Sequence, residues 1–537
     1  MYRDIPSNPH ASPQVTCFLP YMGQEATRQM VQDLNGQPDV AGIFVFMSGS
    51  DADSERQVDL GPGRLVTIDE PLESTRTLLH LVCFSRTPYT LIVVREAALR
   101  LGPLALRRLV RIAEDTDAGM LYADHYTLEN GRRVPTPAID YQLGSLRDDF
   151  DFGPLLLFST LELREALLRQ TVALRYAGLY DLRLKLSRRS DIVHVHELLY
   201  TVVAEGDRRT AEKKQFDYVD PRHRSRQQEM EDACTDHLKS IGAFLKPVQE
   251  AVDLGEGIGC DSGEGTACSP TNSEEAAGVR TGRQSFPVEA TVVIPVKDRV
   301  GTIRDALRSA LSQQTTFPFN VIVVDNHSSD GTTAAIAEQS RADARLIHVV
   351  PDRTDLGIGG CWNVAVGHPQ CGKFVVQLDS DDLYSDAHTL QTIVRTFYDR
   401  QCAMVVGTYR LVDFQLNPIP PGIIDHREWT DHNGPNNALR INGLGAPRAF
   451  YTPLLRRNPL PNVSYGEDYA AALAITRRYR LGRIYDVLYL CRRWKGNSDH
   501  GLDTDRINAH NLYKDSIRTQ EVMARIVMNR RQSCRNE

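Results

Sequence analysis

The stretch FVVQLDSDDLY, residues 374–384, runs a strand-like apolar segment straight into three carboxylates, Asp379, Asp381 and Asp382. Like charges this close repel one another, and a plain turn is served as well by Asn or Ser. The pattern implies either a solvated acidic turn or a set of ligands for a cation. Its surroundings bear on the choice. ATVVIPV (290–296) reads as a buried strand, followed by a helix with Ile303, Ala306, Leu307, Ala310 and Leu311 on one face. NVIVVDN, GTTAAIAEQ, KFVVQL, DAHTLQTIVRTFYDR and AMVVGTY continue as strand, helix, strand, helix and strand. This alternation predicts an α/β fold, a mostly parallel sheet with helices on both faces. Ligands of such sheets sit beyond the carboxyl ends of the strands. The acidic knot falls at one such end and Asp325, in VIVVDNHSSDGT, at another, so the cation reading gains.

Carboxylate oxygens suit Mg²⁺ or Mn²⁺, which are held by one or two side chains together with substrate phosphates. An EF-hand calcium loop fails here, because it needs ligands where Leu383 and Leu390 stand. The knot therefore reads as a metal–diphosphate site of the D-x-D kind.

At 537 residues the chain is too long for one ordinary core, and 41% apolar with 24% charged residues describes a soluble globular protein. The net charge of −7 supplies no broad basic field for nucleic acid. No apolar run is long enough for a spanning helix or a signal peptide. Ten cysteines without a CxxC pair suggest a reduced, cytoplasmic protein. Residues 253–285, rich in Gly, Ser and Glu, break the pattern. The expected organisation is a first domain over 1–245, a flexible linker over 246–287, a second domain over 288–500 and a helical tail over 501–537.

The ordered set VVIPVKDR, VIVVDNHSSDGTT, DLGIGGCWNVAV, GKFVVQLDSDD and YGEDYA resembles glycosyltransferase family 2, over about residues 288–500. The resemblance implies a GT-A fold and inverting transfer of a sugar from a nucleoside diphosphate sugar donor to an acceptor hydroxyl, on a glycan or lipid-linked acceptor. It suggests surface polysaccharide or glycoconjugate synthesis. It implies that Pro295 and Asp298 close the first strand against the nucleotide, that Asp325 bonds the base, and that Asn363 belongs to the glycine-rich approach. Asp379 would lie near the ribose and Asp381 would bind Mg²⁺ or Mn²⁺. LCRRWKGNSDH (490–500) looks like an arginine–tryptophan motif, making Arg493 and Trp494 nucleotide-sugar contacts and His500 a metal or phosphate ligand. Two departures stand out: Lys297 replaces a common aromatic residue, and Leu490 replaces the glutamine of processive members.

An acceptor hydroxyl needs a base, and Glu467 and Asp468 compete for the role. Ser464-Tyr465-Gly466-Glu467 fits a capping box, which would occupy Glu467. Asp468 has no such duty and matches the second acid of the family's ED motif. Two other classes are weighed. A sugar nucleotidyltransferase would carry a glycine-rich loop with a basic residue against a triphosphate, which VVIPVKDRVGT lacks. A non-catalytic sugar-binding scaffold would have no reason to keep Asp381 and Asp468 together.

The first half repeats the element order of the second. VTCFLPY answers VVIPV, with Pro20 opposite Pro295; Met47 falls opposite Asp325; Val94 and Arg95 replace the acidic pair; Leu179 and Tyr180 stand opposite Glu467 and Asp468. Residues 1–245 therefore read as a catalytically silent GT-A-like copy. Asp124 and His125, in YADHY, could be argued as a displaced metal site, but they belong to a later strand. In the tail, Tyr513, Ile517, Ala524 and Val527 recur at helical spacing, while Arg525, Arg530, Arg531 and Arg535 make its end basic. It reads as a packing helix or as a peripheral contact with the inner face of a membrane.

Overall fold

The computed structural model describes residues 13–48, 59–205, 224–255 and 285–536, apart from 171, 248, 428, 431, 442, 495 and 498–501. Most of the segment expected as a linker, and His500, lie outside them. The chain divides into two compact units. One comprises Met1–Leu245, Asn436–Asn442 and Gly501–Glu537, and the other Lys246–Pro435 and Gly443–His500.

The first unit is built on strands β1 (Val15–Pro20), β2 (Val40–Ser48), β3 (Arg64–Ile68), β4 (Tyr89–Val93), β5 (Ala97–Leu101), β6 (Met120–Glu129), β7 (Arg132–Thr136), β8 (Leu155–Ser159) and β9 (Ile192–Glu205). Their order is β3-β2-β1-β4-β8-β6-β9-β5, with β7 beside β6. The block β3-β2-β1-β4 is parallel, and β8 enters antiparallel between β4 and β6. Helices cover both faces. Met30, Val31 and Leu34 of helix Gln24–Asn35 and Leu106 and Leu109 of helix Ala105–Thr116 fill one core. Leu78 and Leu81 of helix Thr75–Val82, Leu163 of helix Thr160–Leu168 and Leu182 of helix Gly178–Leu186 fill the other.

The second unit is built on β10 (Ala290–Val296), β11 (Phe319–Asp325), β12 (Leu346–Val349), β13 (Phe374–Gln377), β14 (Leu383–Tyr384), β15 (Met404–Val412), β16 (Pro418–Ile424), β17 (Arg448–Tyr451) and β18 (Leu481–Arg492). Their order, β12-β11-β10-β13-β17-β15-β18-β14 with β16 beside β15, is the first order strand for strand. The central parallel strands are mostly apolar because helices deny both faces to water; all of β11 is buried, its Asn320 bonded to Thr291.

The registers align the halves residue by residue. Val15 pairs with Tyr89 as Ala290 pairs with Phe374, which sets Pro20 opposite Pro295. Pro20 pairs with Phe46 and Pro295 with Val324, so Met47 takes the place of Asp325. Continuing one residue past Val93 and Leu378 puts Val94 at the place of Asp379. Leu157 pairs with Leu91 as Ala449 pairs with Val376, so Leu156 stands for Arg448. The corresponding helices begin at Gly178 and Glu467. Leu179 thus answers Asp468 and Tyr180 answers Tyr469, one position away from the alignment read off the sequence.

The tail is one helix, Thr504–Asn536, packed within the first unit. Gly144 N donates to Thr519 Oγ1 (2.9 Å), Ser145 Oγ to Asp515 Oδ2 (2.9 Å), and Arg518 Nη2 to the Ile441 carbonyl (2.9 Å). Arg525 is fully buried against Glu521 at 2.7 Å, so it does not belong to a basic surface; Arg530, Arg531 and Arg535 are exposed. Val527, expected on the packing face, is 45% exposed. No helix among the described residues is long and apolar enough to cross a membrane.

Candidate functional site

Four strand ends and one helix start meet at the carboxyl edge of the β10–β11–β13 block. Strand β10 ends in a loop where Asp298 takes a left-handed φ of 52°. Its Oδ1 accepts from Ser329 N (2.7 Å) and Ser329 Oγ (3.2 Å), while its own N donates to Ser328 Oγ (2.9 Å). Pro295 pairs in the ladder with Val324. These contacts lock the first loop to the one after β11.

Asp325 ends β11 and is 0% exposed. It accepts from Ser328 N (3.0 Å) and Thr333 Oγ1 (2.5 Å), and His348 lies at 3.5 Å. Burial opposes its charge, but the hydrogen bonds from Ser328 and Thr333 outweigh burial and hold its carboxyl below the usual range. Expected as a base contact, the side chain is here engaged in closing its own loop.

The acidic knot follows β13. Asp379 N donates to Tyr489 Oη (3.0 Å), and both Asp379 oxygens accept from Gln377 Nε2 at 3.0 Å. Burial, with repulsion from Asp381, raises its carboxyl above the ordinary value despite the opposing charge of Arg448. Asp382 is buried, accepts from Arg492 N (2.8 Å), and is pushed well up by burial and by its two acidic neighbours. Asp381 Oδ2 accepts from Trp494 Nε1 (3.1 Å) and Asn497 Nδ2 (3.2 Å), and its Oδ1 receives no donor from the described residues. The knot is therefore only partly solvated and not neutralised: Asp379 and Asp381 are half-buried and Asp382 buried, and it holds one free carboxylate oxygen and two carboxyls whose ionisation is resisted. A hard dication at Asp381, with Asp379 beside it, fits that donor set.

The arginine–tryptophan segment divides between tasks. Arg492 is buried, pairs with Asp305 (3.1 Å), donates to the Asp381 carbonyl and lies over the Phe414 ring at 4.8 Å. Trp494 rests on Phe414 (5.5 Å between centroids) while its indole N–H holds Asp381. Arg493 is half-buried and joins β15 through its N–H to Val412.

Glu467 and Asp468 begin helix Glu467–Thr476, whose N-cap is Gly466 at φ 81°. This overturns the capping box: Ser464 Oγ instead accepts from Ile358 N (3.3 Å), and Glu467 sits at the first helical position. Glu467 is 8% exposed, with no partner for its Oε2. Burial, reinforced by the Asp468 charge, pushes its carboxyl up to about 8. Asp468 Oδ2 pairs with Arg448 Nε at 2.8 Å, and its Oδ1 accepts from Tyr469 N (2.7 Å). The Arg448 charge also acts on Asp379 and Glu467, so one guanidinium links the knot to the helix start.

The glycine-rich motif builds the wall behind that helix. A Cβ at Gly359 would meet the Pro461 carbonyl at 1.9 Å and Glu467 Cβ at 2.9 Å. Gly359 N donates to the Val463 carbonyl (2.9 Å) and Gly357 N to Asn462 Oδ1 (2.8 Å). Asn363 spends both ends of its amide on Leu460, donating to its carbonyl (2.7 Å) and accepting from its N–H (3.0 Å). Expected to touch the nucleotide sugar, Asn363 here anchors the segment leading into Glu467 and Asp468.

Sequence reasoning missed Arg448. Its only local mark is a lone cation at the start of the strand RAFY. Among the described residues, a group of three metal-ligating side chains within 4.8 Å of one another occurs in the first unit, at Asp124, His194 and His196. His125, next to Asp124 in sequence, stacks on Tyr200.

Residues 291–462 match the model for Glycosyl transferase family 2. An O-antigen chain rhamnosyltransferase of Salmonella typhimurium is 27% identical over 132 residues, 25% of this chain and 40% of that protein. The chain thus spans well under half of the curated relative it matches. S. aureus TarS 1–349 in complex with UDP-GlcNAc is similar over 44% of this chain and 72% of that one, at 20% identity and a TM-score of 0.33. Glucosyl-3-phosphoglycerate synthase from Mycobacterium tuberculosis, in complex with Mn²⁺, UDP and phosphoglyceric acid, covers 44% and 78%, at 18% identity and 0.31.

Proposed function

We propose that this chain, whose second half carries a glycosyltransferase family 2 domain, moves a sugar from a nucleoside diphosphate sugar to an acceptor hydroxyl with inversion, using Mg²⁺ or Mn²⁺, in the synthesis of a polysaccharide or glycoconjugate. The observation that carries the reading is the chain of charge Asp381–Asp379–Arg448–Asp468 at the strand ends of one sheet. In the step, the acceptor oxygen attacks the anomeric carbon, the bond from that carbon to the diphosphate oxygen breaks, and its electron pair leaves with the nucleoside diphosphate. The acceptor's proton passes to a carboxylate. Glu467 keeps its own proton up to about pH 8, which leaves Asp468 as the base at neutral pH, oriented by Arg448 and by its own helix start. Asp381 and Asp379 would hold the dication, which, when bound, offsets the charge of the departing diphosphate. Trp494 and Asn497 fix the Asp381 carboxylate so that one oxygen stays available.

The test is release of nucleoside diphosphate from UDP- and GDP-sugars with Mn²⁺ or Mg²⁺, followed by anomeric-proton NMR of the product. Metal-dependent release with inverted configuration is expected. Undiminished activity in excess EDTA sinks the metal role, and retained configuration sinks the single-displacement step.

A further inference from the structure

The first unit lacks the chemistry of the second but keeps a half-open cleft where that chemistry would stand. Val94, Leu156 and Leu179, the counterparts of Asp379, Arg448 and Asp468, all line one cavity of about 620 Å³. That is the size of a small-molecule site. Three linked charges have become three apolar side chains, and the space between them has not closed.

The rest of the wall is aromatic and cationic. Phe150, Phe152, Tyr176 and Tyr180 face the cavity together with Arg183. The Arg183 guanidinium lies over Tyr180 (4.7 Å), Phe152 (5.5 Å) and Phe150 (5.6 Å). It is 5% exposed, donates through Nη2 to the Arg147 carbonyl, and has no acceptor at Nε. The other cavity arginines are matched with acids: Arg95 with Asp151 (3.1 Å), Arg440 with Asp148 (2.6 Å), Arg226 with Glu73. Asp149 pairs with Arg147 at 3.0 Å. Arg183 is left as a buried cation with no carboxylate partner among the described residues. A buried cation without a counter-charge is costly unless a ligand brings one.

We propose that this cavity is a binding site for a saccharide bearing one negative charge, its ring against the aromatic wall and its carboxylate or phosphate on Arg183. The inference rests on the transferase reading, since it makes the silent half the holder of a glycan on which the other half acts. A nucleoside diphosphate fits poorly, because the site offers one spare cation and Val94 in place of a metal-side carboxylate. A neutral sugar leaves Arg183 unmatched.

Isothermal titration of the full chain, without donor or metal, tests this with glucuronate, glucose 6-phosphate, glucose and UDP. Glucuronate or glucose 6-phosphate is expected to bind at least tenfold more tightly than glucose; the stronger of the two identifies the anion. Arg183→Gln should reduce that binding to the glucose level, and Leu179→Trp, which fills the cavity without touching a charge, should abolish it. Glucose binding equally well, no anionic sugar binding at millimolar concentration, competition by UDP, or binding that survives Leu179→Trp overturns the proposal. Nucleotide-sugar turnover measured on the same preparation separates the two readings. Turnover without anionic-sugar binding removes this inference alone, and binding without turnover removes the transferase reading.

Discussion

The two sheets of this chain share one strand order and differ in what stands at their strand ends. At the place where the second unit sets Asp325, Asp379, Arg448 and Asp468, the first sets Met47, Val94, Leu156 and Leu179. The strand cores interchange one set of apolar residues for another at little cost. The strand ends cannot, because a charge survives there only with its partners. Losing one acid from the linked set would strand Arg448, so the charges are kept together or given up together.

The largest effect expected from breaking the second half is that of Asp381→Ala. Removing the carboxylate with the free oxygen should lower transfer by about 10³-fold or more, leaving the melting temperature nearly unchanged. Full activity in this variant would place the metal elsewhere. Asp468→Asn should cost about 10²–10³-fold in kcat while donor binding, read by titration, persists. If Glu467→Gln is the inactive variant instead, the base is the other carboxylate.

Arg448→Leu copies the first half into the second at one position. It leaves Asp468 and Asp379 without their shared cation and should destabilise the unit by about 3–5 kcal/mol, seen as a lower melting temperature. Adding Asp468→Leu, which copies a second position and removes the acid paired with Arg448, should recover part of that loss. Two additive losses would show that the charges are not coupled.

How much of this the sequence carried follows from the range of each interaction. Strand periodicity is local, so the α/β pattern could be read directly, and the D-x-D turn and the ED pair are short strings that single out Asp381 and Asp468 as candidates. The duplicated order was legible because every skeletal strand kept its apolar run. Arg448 was not, because its partners Asp379 and Asp468 are distant in sequence and meet only once β17 lies beside β13. The structural use of Asn363 was hidden for the same reason, its amide being bonded to Leu460, 97 residues away. The capping-box pattern at Ser464 was correct as a string and lost to Gly466, whose left-handed backbone starts the helix two residues later than the box requires.

A smaller effect concerns pH. Glu467 in the folded chain holds its proton to about pH 8, whereas an unfolded glutamate releases it near pH 4.3. The folded state therefore binds the extra proton between those values. This contribution is fully present below the unfolded value and is lost as pH rises through the folded one. Denaturant melts from pH 5 to 9 should show stability falling with pH, and Glu467→Gln should flatten the slope. Smallest of all, replacing Arg530, Arg531 and Arg535 by Ala should leave flotation with anionic liposomes and the melting temperature alike unchanged, because the helix is held by its buried side. Lost flotation would restore the membrane contact.

The placement of helix Thr504–Asn536 in the first unit has a consequence during synthesis. Domains generally fold as units while the chain is made. Here the second unit leaves the ribosome complete while the first still lacks the helix that bonds Gly144 and Ser145. At about 5–20 residues per second, the first unit waits on the order of tens of seconds for its last piece. A chain ending before residue 504 would hold the strands of both sheets but lack the helix whose Thr519 and Asp515 bond Gly144 and Ser145. Cutting the protein at residue 245 would do the same to the isolated fragment, so its parts are better separated by rejoining the tail to the first half than by truncation.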